Sequence, residues 1–542
     1  MGPEKAADQD MISEDVELHR SGKFAAFYNK HIFWFHLVMW LIATGFVSAA
    51  FALQIPKGYN QENLILGLVY AWFSIYMFFC HVPTTVVTKP WGMLISMIAK
   101  PVKMVNPRLR SLLYGAFVFA AIAATVFAFP VNEHSSTRLQ RLYSLIGLVI
   151  FIAIMYITST NRRAINWTTI TTALLLQFLL ALFVFRTKAG HDIFAWAAHF
   201  CEGYLSKSRY GTEFVFGAEI ANSGIFAVGV FPALIFFAAT VQMLYYLGSL
   251  QWLLRKSAVI FVNVLRISGA EAVVACASPF LGQCENALLI KPFMPYLTNC
   301  EMHQVMASGF ATISGSVLYA YISMGIPGQA LLTSCVMSIP CSIAVSKMRY
   351  PEVDEPMTKG EVKVPESDEK AANFLHAAGT GAATGINICL LICANLISIL
   401  ALLYAVNAGL TWLGNFVSIQ ELTLQMITGY IFVPISWMIG TDTKDLVAVG
   451  QLMATKIWAN EFVAYMDMMK LYQENAISER SMVVATYALC GFANLSSVGM
   501  QIGVLSSLAP KRAGDISGLA LSAMICGAMS TWVSASIAGM LH

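Results

Sequence analysis

The chain has 542 residues, of which 57% are hydrophobic and only 12% charged. Soluble globular chains carry about a quarter charged residues, so the composition excludes an ordinary soluble domain and points to an all-α polytopic membrane protein. The net charge of +3 is too small to argue for nucleic acid, and the 11 cysteines form no CxxC or Cys/His cluster, so no metal site or cofactor is expected.

Residues 1–30 are polar, lack the apolar core of a signal peptide and read as a cytoplasmic tail. Apolar stretches long enough to cross a hydrocarbon core of roughly 30 Å follow. They fall at 31–53, 62–85, 111–130, 143–159 and 165–185. Residues 190–206, with His191, Trp196, His199 and Phe200, are amphipathic and suit the membrane interface. A long helix is expected at 220–250, and residues 262–292 are too interrupted for a simple span. Further spans fit 300–324, 328–348 and 380–405, with an interfacial helix at 408–422. Residues 425–470 are interrupted again, and 482–507 and 514–540 close the chain. These are eleven spans and two interrupted segments. Short cytoplasmic loops are enriched in Lys and Arg. Lys89, Lys100, Lys103, Arg108, Arg110, Arg162, Arg163, Arg255, Lys256, Arg349, Lys511 and Arg512 all fall on one side if the N-terminus is inside, which puts the C-terminus outside. Lys57, Arg138 and Arg141 are exceptions.

The interrupted segments carry the chemistry. The first contains Ser278-Pro279-Phe280-Leu281-Gly282-Gln283-Cys284-Glu285-Asn286, a carboxylate, two amides and a thiol inside apolar sequence. Proline and glycine break the helix there, which suits a re-entrant hairpin with its tip near Pro279–Gly282. The second, with Pro434, Gly440, Asp442 and Asp445, leads to Asn460-Glu461. Each is followed by a polar, glycine-bearing helix: Thr312-Ile313-Ser314-Gly315-Ser316-Val317 with Tyr321, and Cys490-Gly491-Phe492-Ala493-Asn494-Leu495-Ser496-Ser497. Loop charge starts the first hairpin inside and the second outside. Such an inverted repeat with a polar site between its halves is typical of secondary transporters. Small and polar residues also serve plain helix packing, and Lys456 is placed to neutralise Glu461 through one helix turn. The chain has no H-E-x-x-H, G-x-S-x-G or Walker lysine loop, so an enzyme is not expected. Paired hairpins around one site favour alternating access over a channel.

Four motifs in order resemble the concentrative nucleoside transporter family. They are Gly282-Gln283-Cys284-Glu285, the run Ala307–Tyr321, Lys456 with Asn460–Tyr465, and Cys490–Asn494. The resemblance covers residues from about 185 to 540 and is weaker upstream. It implies three extra N-terminal helices (31–130) on an eight-helix core, and a homotrimer in the plasma membrane. It also implies scaffold helices with interfacial helices (143–250 and 380–422), two transport repeats (262–348 and 425–540) and a cytoplasmic loop (349–372). By resemblance the nucleobase falls to Gln283, Cys284 and Glu285 with Tyr321 beside them, and the ribose to Glu461, Asn494 and Ser497 with Phe492 packing nearby. An amide and a carboxylate supply the donors and acceptors a base edge needs, and an ionised carboxylate suits sugar hydroxyls. Cys284 departs from the family's Thr or Ser, Ala454 from a usual Gly, and His376, read as packed or interfacial, from a frequent Glu.

The expected function is import of purine nucleosides and uridine by an elevator-like symporter. The coupling site implied by resemblance comprises Ser278, Leu281, Ser316, Val317 and Glu461. Sodium-driven relatives carry asparagine where this chain has Ser278, and a hydroxyl is a weaker ligand for a hard cation than an amide oxygen. The expectation is therefore coupling to H⁺, with Glu461 as first carrier and Glu285 as second. Na⁺ coupling and transport of free nucleobases are the alternatives.

Overall fold

The structure is a computed structural model that describes residues 31–54, 61–81, 107–129, 137–223, 225–357, 371–420 and 422–542. The tail expected at 1–30 and most of the loop 349–372 lie outside the described residues. Every regular element among the described residues is helical.

The chain forms two compact units, residues 1–110 and 111–542. In the first, α1 (Ile32–Gln54) and α2 (Gln61–His81) are joined by Trp40 Nε1 donating to Ser74 Oγ at 3.0 Å and by a 2.7 Å bond between the Thr44 and Tyr70 hydroxyls. The remaining side chains of α1 are mostly apolar and exposed, as a helix facing lipid requires. Helix α3 (Pro107–Ala128) spans the boundary between the units.

The second unit opens with α4 (Arg138–Ile157), α5 (Trp167–Arg186), α6 (Lys188–Leu205), α7 (Ser208–Phe216) and α8 (Ala218–Ala221). The long helix expected at 220–250 is shorter. Helix α9 (Phe226–Tyr246) ends where Gly248 takes a φ of +75°, and α10 (Ser249–Leu265) follows. Glycine adopts that left-handed conformation without the steric cost a Cβ would bring. The first interrupted segment is α11 (Gly269–Ala277), a turn, and α12 (Gln283–Leu288). Then come α13 (Asn299–Ala311), α14 (Gly315–Ser323), α15 (Gly328–Arg349) and α16 (Phe374–Phe416). The second interrupted segment is α17 (Leu424–Met438), α18 (Leu446–Trp458) and α19 (Glu461–Gln473), followed by α20 (Glu479–Leu489), α21 (Leu495–Leu508) and α22 (Ala513–Leu541).

Among the described residues seven helices are long and apolar enough to cross a membrane by length and composition, and Leu113–Ala128, Leu424–Met438 and Leu495–Leu508 are shorter apolar helices. The spans expected at 300–324 and 482–507 are each cut in two, at Thr312–Ser314 and at Cys490–Asn494. In the other direction, the expected span 380–405 and interfacial helix 408–422 fuse into α16, 43 residues without interruption. At 1.5 Å per residue α16 is ~64 Å long, about twice a hydrocarbon core. It lies along α9, where a Cβ on Gly381 or Gly385 would stand 2.6–2.7 Å from α9 backbone. Only glycine permits that approach.

The order short helix, tip, polar helix start, broken helix and long helix runs from α11 to α15 and recurs from α18 to α22. The two broken helices meet at their breaks. Phe492 N donates to Thr312 O at 3.3 Å, so an orphaned carbonyl of one break is met by an amide of the other. Helices α15 and α22 are buried over most of their length and form the body's interior. At the start of α11, Lys347 of α15 lies 2.6 Å from the Glu271 carboxylate, 3.4 Å from Glu352 and 3.3 Å from Cys300 Sγ. This cluster ties the first hairpin to α15 and to the start of the charged loop.

The crossing of the breaks gives a packing prediction. A Cβ on Gly491 would stand 2.8 Å from the Phe310 carbonyl oxygen and 3.1 Å from Ala311 backbone, whereas nothing lies within 4 Å of one on Gly499 in α21. Gly491→Ala is expected to destabilise by about 1–3 kcal/mol through overpacking, and Gly499→Ala to be neutral or stabilising by up to about 1 kcal/mol. Thermal unfolding in detergent measures both. Equal melting of the two variants would contradict the crossing.

Candidate functional site

The first hairpin presents its polar side chains because its two short helices are capped by their own residues. Ser268 and Glu271 cap the start of α11, and all nine residues of α11 are buried. Pro279 ends the helix, and Ser278 Oγ turns back to donate to Val274 O at 2.8 Å. The Glu285 carboxylate accepts the Gly282 amide at 2.9 Å, so one of its oxygens closes the first turn of α12. The expected base-binding carboxylate therefore also shapes the tip. Asn286 Nδ2 donates to Ser278 Oγ at 3.0 Å, pulling the two strands of the turn together. Gln283 is buried, and its Oε1 has no hydrogen-bond partner among the described residues. Leu281 is buried beside it. The side chain of Cys284 lies outside the described part of the structure.

At the second hairpin, Asn460 caps α19 by accepting the Val463 amide at 3.0 Å. Glu461, the first residue of the helix, is 2% exposed. Tyr321 Oη of α14 donates to its Oε1 at 3.1 Å, and Asn494 Nδ2 donates to its Oε2 at 3.0 Å. The other end of the same amide, Asn494 Oδ1, accepts the Ser497 amide at 2.8 Å and caps α21. Two helix starts, those of α19 and α21, and the far end of α14 thus share one carboxylate. A helix N-terminus favours negative charge, which stabilises Glu461 in the first turn of α19. Around it Tyr321 packs on Phe462 and Tyr465, with ring centroids 4.7 and 5.0 Å apart, and Phe462 meets Phe226 of α9 edge-on at 5.5 Å.

The structure thus brings Glu461, Tyr321, Asn494 and Ser497 together. Tyr321, expected beside the base-binding residues, bonds through its hydroxyl to the carboxylate expected at the sugar end, because α14 aims it at the start of α19. Phe492 is half-buried at the break. Val317 is buried in the first turn of α14, and the side chain of Ser316 lies outside the described part. Lys456 does not reach the carboxylate with its hydrogen bonds. Its ammonium donates to Ala488 O at 2.9 Å and Thr531 Oγ1 at 3.3 Å, tying α18 to α20 and α22. His376, read as packed or interfacial, is exposed in the first turn of α16, where its Nδ1 accepts the Ala372 amide at 3.0 Å.

Sequence reasoning missed Gln501. It is 1% exposed on α21, and neither of its amide atoms has a partner among the described residues. Its signal was its register, four residues after Ser497 and seven after Asn494, on the same helix face.

Known proteins match along most of this architecture. Family models described as Na+ dependent nucleoside transporter C-terminus, Nucleoside recognition and Na+ dependent nucleoside transporter N-terminus match residues 330–539, 227–328 and 146–219. Sodium/nucleoside cotransporter 1 of Rattus norvegicus is 38% identical over 421 residues, 75% of this chain and 65% of that protein. Solute carrier family 28 member 3 of Homo sapiens is 38% identical over 439 residues, 78% of this chain and 63% of that protein. The chain therefore spans just under two thirds of the length of these relatives. Sodium/nucleoside cotransporter 1 of Homo sapiens is 37% identical over 450 residues, 81% of this chain and 69% of that protein. The solved structure of CNTnw in an inward-facing substrate-bound state matches with a TM-score of 0.69 and 33% identity, covering 74% of this chain and 97% of that one. A CNTnw variant in an outward-facing state gives 0.71 and 34%, covering 75% and 99%. With identities this high over almost the whole of a solved relative, the chain belongs to the concentrative nucleoside transporter family.

Proposed function

We propose that this protein is a symporter that imports nucleosides with a cation across the plasma membrane. The observation that carries the reading is Glu461, a buried carboxylate held at the junction of α14, α19 and α21. A carboxylate offers about four acceptor positions. Tyr321 and Asn494 fill one on each oxygen, which leaves acceptors for the vicinal hydroxyls of a ribose. Ser497 beside it and Phe492 above the break supply a hydroxyl and a ring face. Gln283, Cys284 and Glu285 take the base at the first hairpin. Purine nucleosides and uridine are the proposed substrates.

The broken helices make such a site physically possible, because an unwound backbone at membrane depth is tolerated only against protein or a wet cavity. The elevator-like movement, the homotrimer, the re-entrant hairpins, the cytoplasmic N-terminus and the extracellular C-terminus are proposed with the family.

For the coupling cation, the names of the relatives support Na⁺, since two of them are sodium/nucleoside cotransporters. A second reading, H⁺, is favoured by the hairpin tip. Ser278 Oγ donates to Val274 O and accepts from Asn286, so most of its bonding capacity is already used within the protein. Ser278, Leu281, Ser316 and Val317 are the proposed ligands for Na⁺, and Glu461 the proposed carrier of H⁺. Uptake of labelled uridine in a transport-null cell decides between them, with sodium replaced by choline and at about pH 5.5 and about pH 7.5. Loss in choline at both pH values establishes Na⁺. Uptake that survives choline and rises at the lower pH establishes H⁺. Uptake indifferent to both would contradict symport.

Two sets of variants test the site. Glu461→Gln keeps the size but removes the charged acceptor, so uptake is expected to fall roughly tenfold to a hundredfold at normal surface expression, the effect of hydrogen bonds to a charged group. Normal transport would sink the assignment. Asn494 has two separable roles, as a cap and as a donor. Serine caps helices about as well as asparagine, whereas alanine costs about 1 kcal/mol. Asn494→Ser is therefore expected to melt near the wild type and Asn494→Ala lower, while both lose uptake because neither donates to Glu461. If Asn494→Ser transports normally, the bond to Glu461 has no part in binding. Adenosine, inosine and guanosine are expected to inhibit uridine uptake, and an adenosine that does not compete would contradict a shared pocket.

A further inference from the structure

Gln501 is a primary amide on the second turn of α21, 1% exposed, with both polar atoms buried and unpartnered among the described residues. A buried polar group with no partner is destabilising by the full cost of its desolvation, so its persistence calls for a ligand that satisfies it. Its surroundings say which. Asn494, Ser497 and Gln501 lie on one face of the helix, and the first of them bonds to Glu461. Beyond this face stands Gly309 of α13. A Cβ there would lie 3.2 Å from Gln501 Nε2 and 3.0 Å from the Cβ of Gln283. The glycine therefore lets two carboxamides from different repeats flank one point, and Gln283 Oε1 is also unpartnered among the described residues.

We propose that Gln501 is a substrate-binding residue that reads the hydrogen-bonding edge of the nucleobase together with Gln283. The proposal rests on the nucleoside reading above and extends it to a residue in the second repeat. Each common base carries an adjacent donor and acceptor on that edge: an amino group beside a ring nitrogen in adenine and cytosine, a carbonyl beside a ring N–H in uracil, guanine and hypoxanthine. A carboxamide offers one side of each kind and, turned over, fits the opposite order. Two such groups recognise the edge without choosing between purine and pyrimidine. That suits the proposed range of purine nucleosides and uridine.

The test compares ligands that differ only at that edge, by inhibition of labelled uridine uptake. Purine riboside is adenosine without its 6-amino group. The wild-type protein is expected to bind adenosine about tenfold more tightly than purine riboside, the net worth of about one hydrogen bond. Gln501→Leu is expected to bring the two within about twofold, with purine riboside unchanged. Gln501→Glu keeps the size but only accepts, so it still meets the amino donor of adenosine and faces only the ring acceptor of purine riboside, and the preference for adenosine is expected to be kept or widened. A merely structural Gln501 would weaken adenosine and purine riboside together in both variants, and that result overturns the proposal. So does a wild-type protein that does not distinguish adenosine from purine riboside, a measurement that needs no variant to fold. A wild-type protein that takes up no nucleoside defeats the function itself, whereas intact uptake with an unchanged preference in both variants defeats only the role of Gln501.

Discussion

An ionised carboxylate in the interior of a membrane protein is tolerated only where donors replace its water, and at Glu461 the donors come from two other helices. Tyr321 reaches it from the far end of α14 and Asn494 from the cap of α21, so the start of α19 cannot be placed without these two helices. They exist as separate helices because α13/α14 and α20/α21 are broken. An unbroken α20/α21 would have no cap at Asn494 to meet the start of α19. The breaks in turn are stabilised by each other through the bond from Phe492 N to Thr312 O and by the close approach that Gly491 allows. Fold and site therefore depend on one junction.

The two halves of the junction differ in how tightly they are held. Glu461 is satisfied on both oxygens by protein and is a pre-formed feature. On the first hairpin, Glu285 and Asn286 stabilise the tip itself, through Gly282 and Ser278, while Gln283 Oε1 there and both amide atoms of Gln501 on α21 opposite are left without partners among the described residues. An asymmetry of this kind suits a site that fixes one end of its ligand, the sugar, and adapts to the other, the base. It also separates two kinds of lysine and glutamate in the chain. Lys347 with Glu271 and Glu352 joins elements at the base of the first hairpin, and Lys456 braces α18 through Ala488 and Thr531. Lys347 lies outside the junction at Glu461, whereas Lys456 sends its hydrogen bonds elsewhere but stands close enough to act on Glu461 through its charge.

Much of this is legible in the sequence, for a physical reason. In apolar sequence the rare polar residues must be accounted for, so Gln283, Glu285, Glu461, Asn494 and Ser497 stand out, and proline and glycine mark the tip of the first hairpin. Less legible is where helices stop without such punctuation. The break at Thr312–Ser314 contains no proline and precedes its glycine, so the sequence reads there as one span. It forms because a partner carbonyl and amide exist across the crossing, which is a tertiary fact. Conversely α16 continues through 405–408, where a change of polarity suggests a boundary that the helix ignores. The bond from the Tyr321 hydroxyl to Glu461 is not legible in the sequence, because 140 residues separate the two and only the packing of α14 on α19 brings them together. Gln501 escapes notice because a lone amide in a helix is ordinary until its lack of partners is seen.

The central claim is that the junction at Glu461 holds the sugar of a nucleoside. It is tested most directly by ligand-induced stabilisation of the purified protein, comparing uridine with 2′,3′-dideoxyuridine at equal concentration. The account predicts that uridine raises the melting temperature and that the dideoxy compound, which keeps the base but lacks both hydroxyls, raises it far less. At a ligand concentration of about one hundred times Kd, uridine should contribute roughly 2.7 kcal/mol. Equal stabilisation by the two compounds would contradict the account, because it would mean that the buried carboxylate does not meet the ribose.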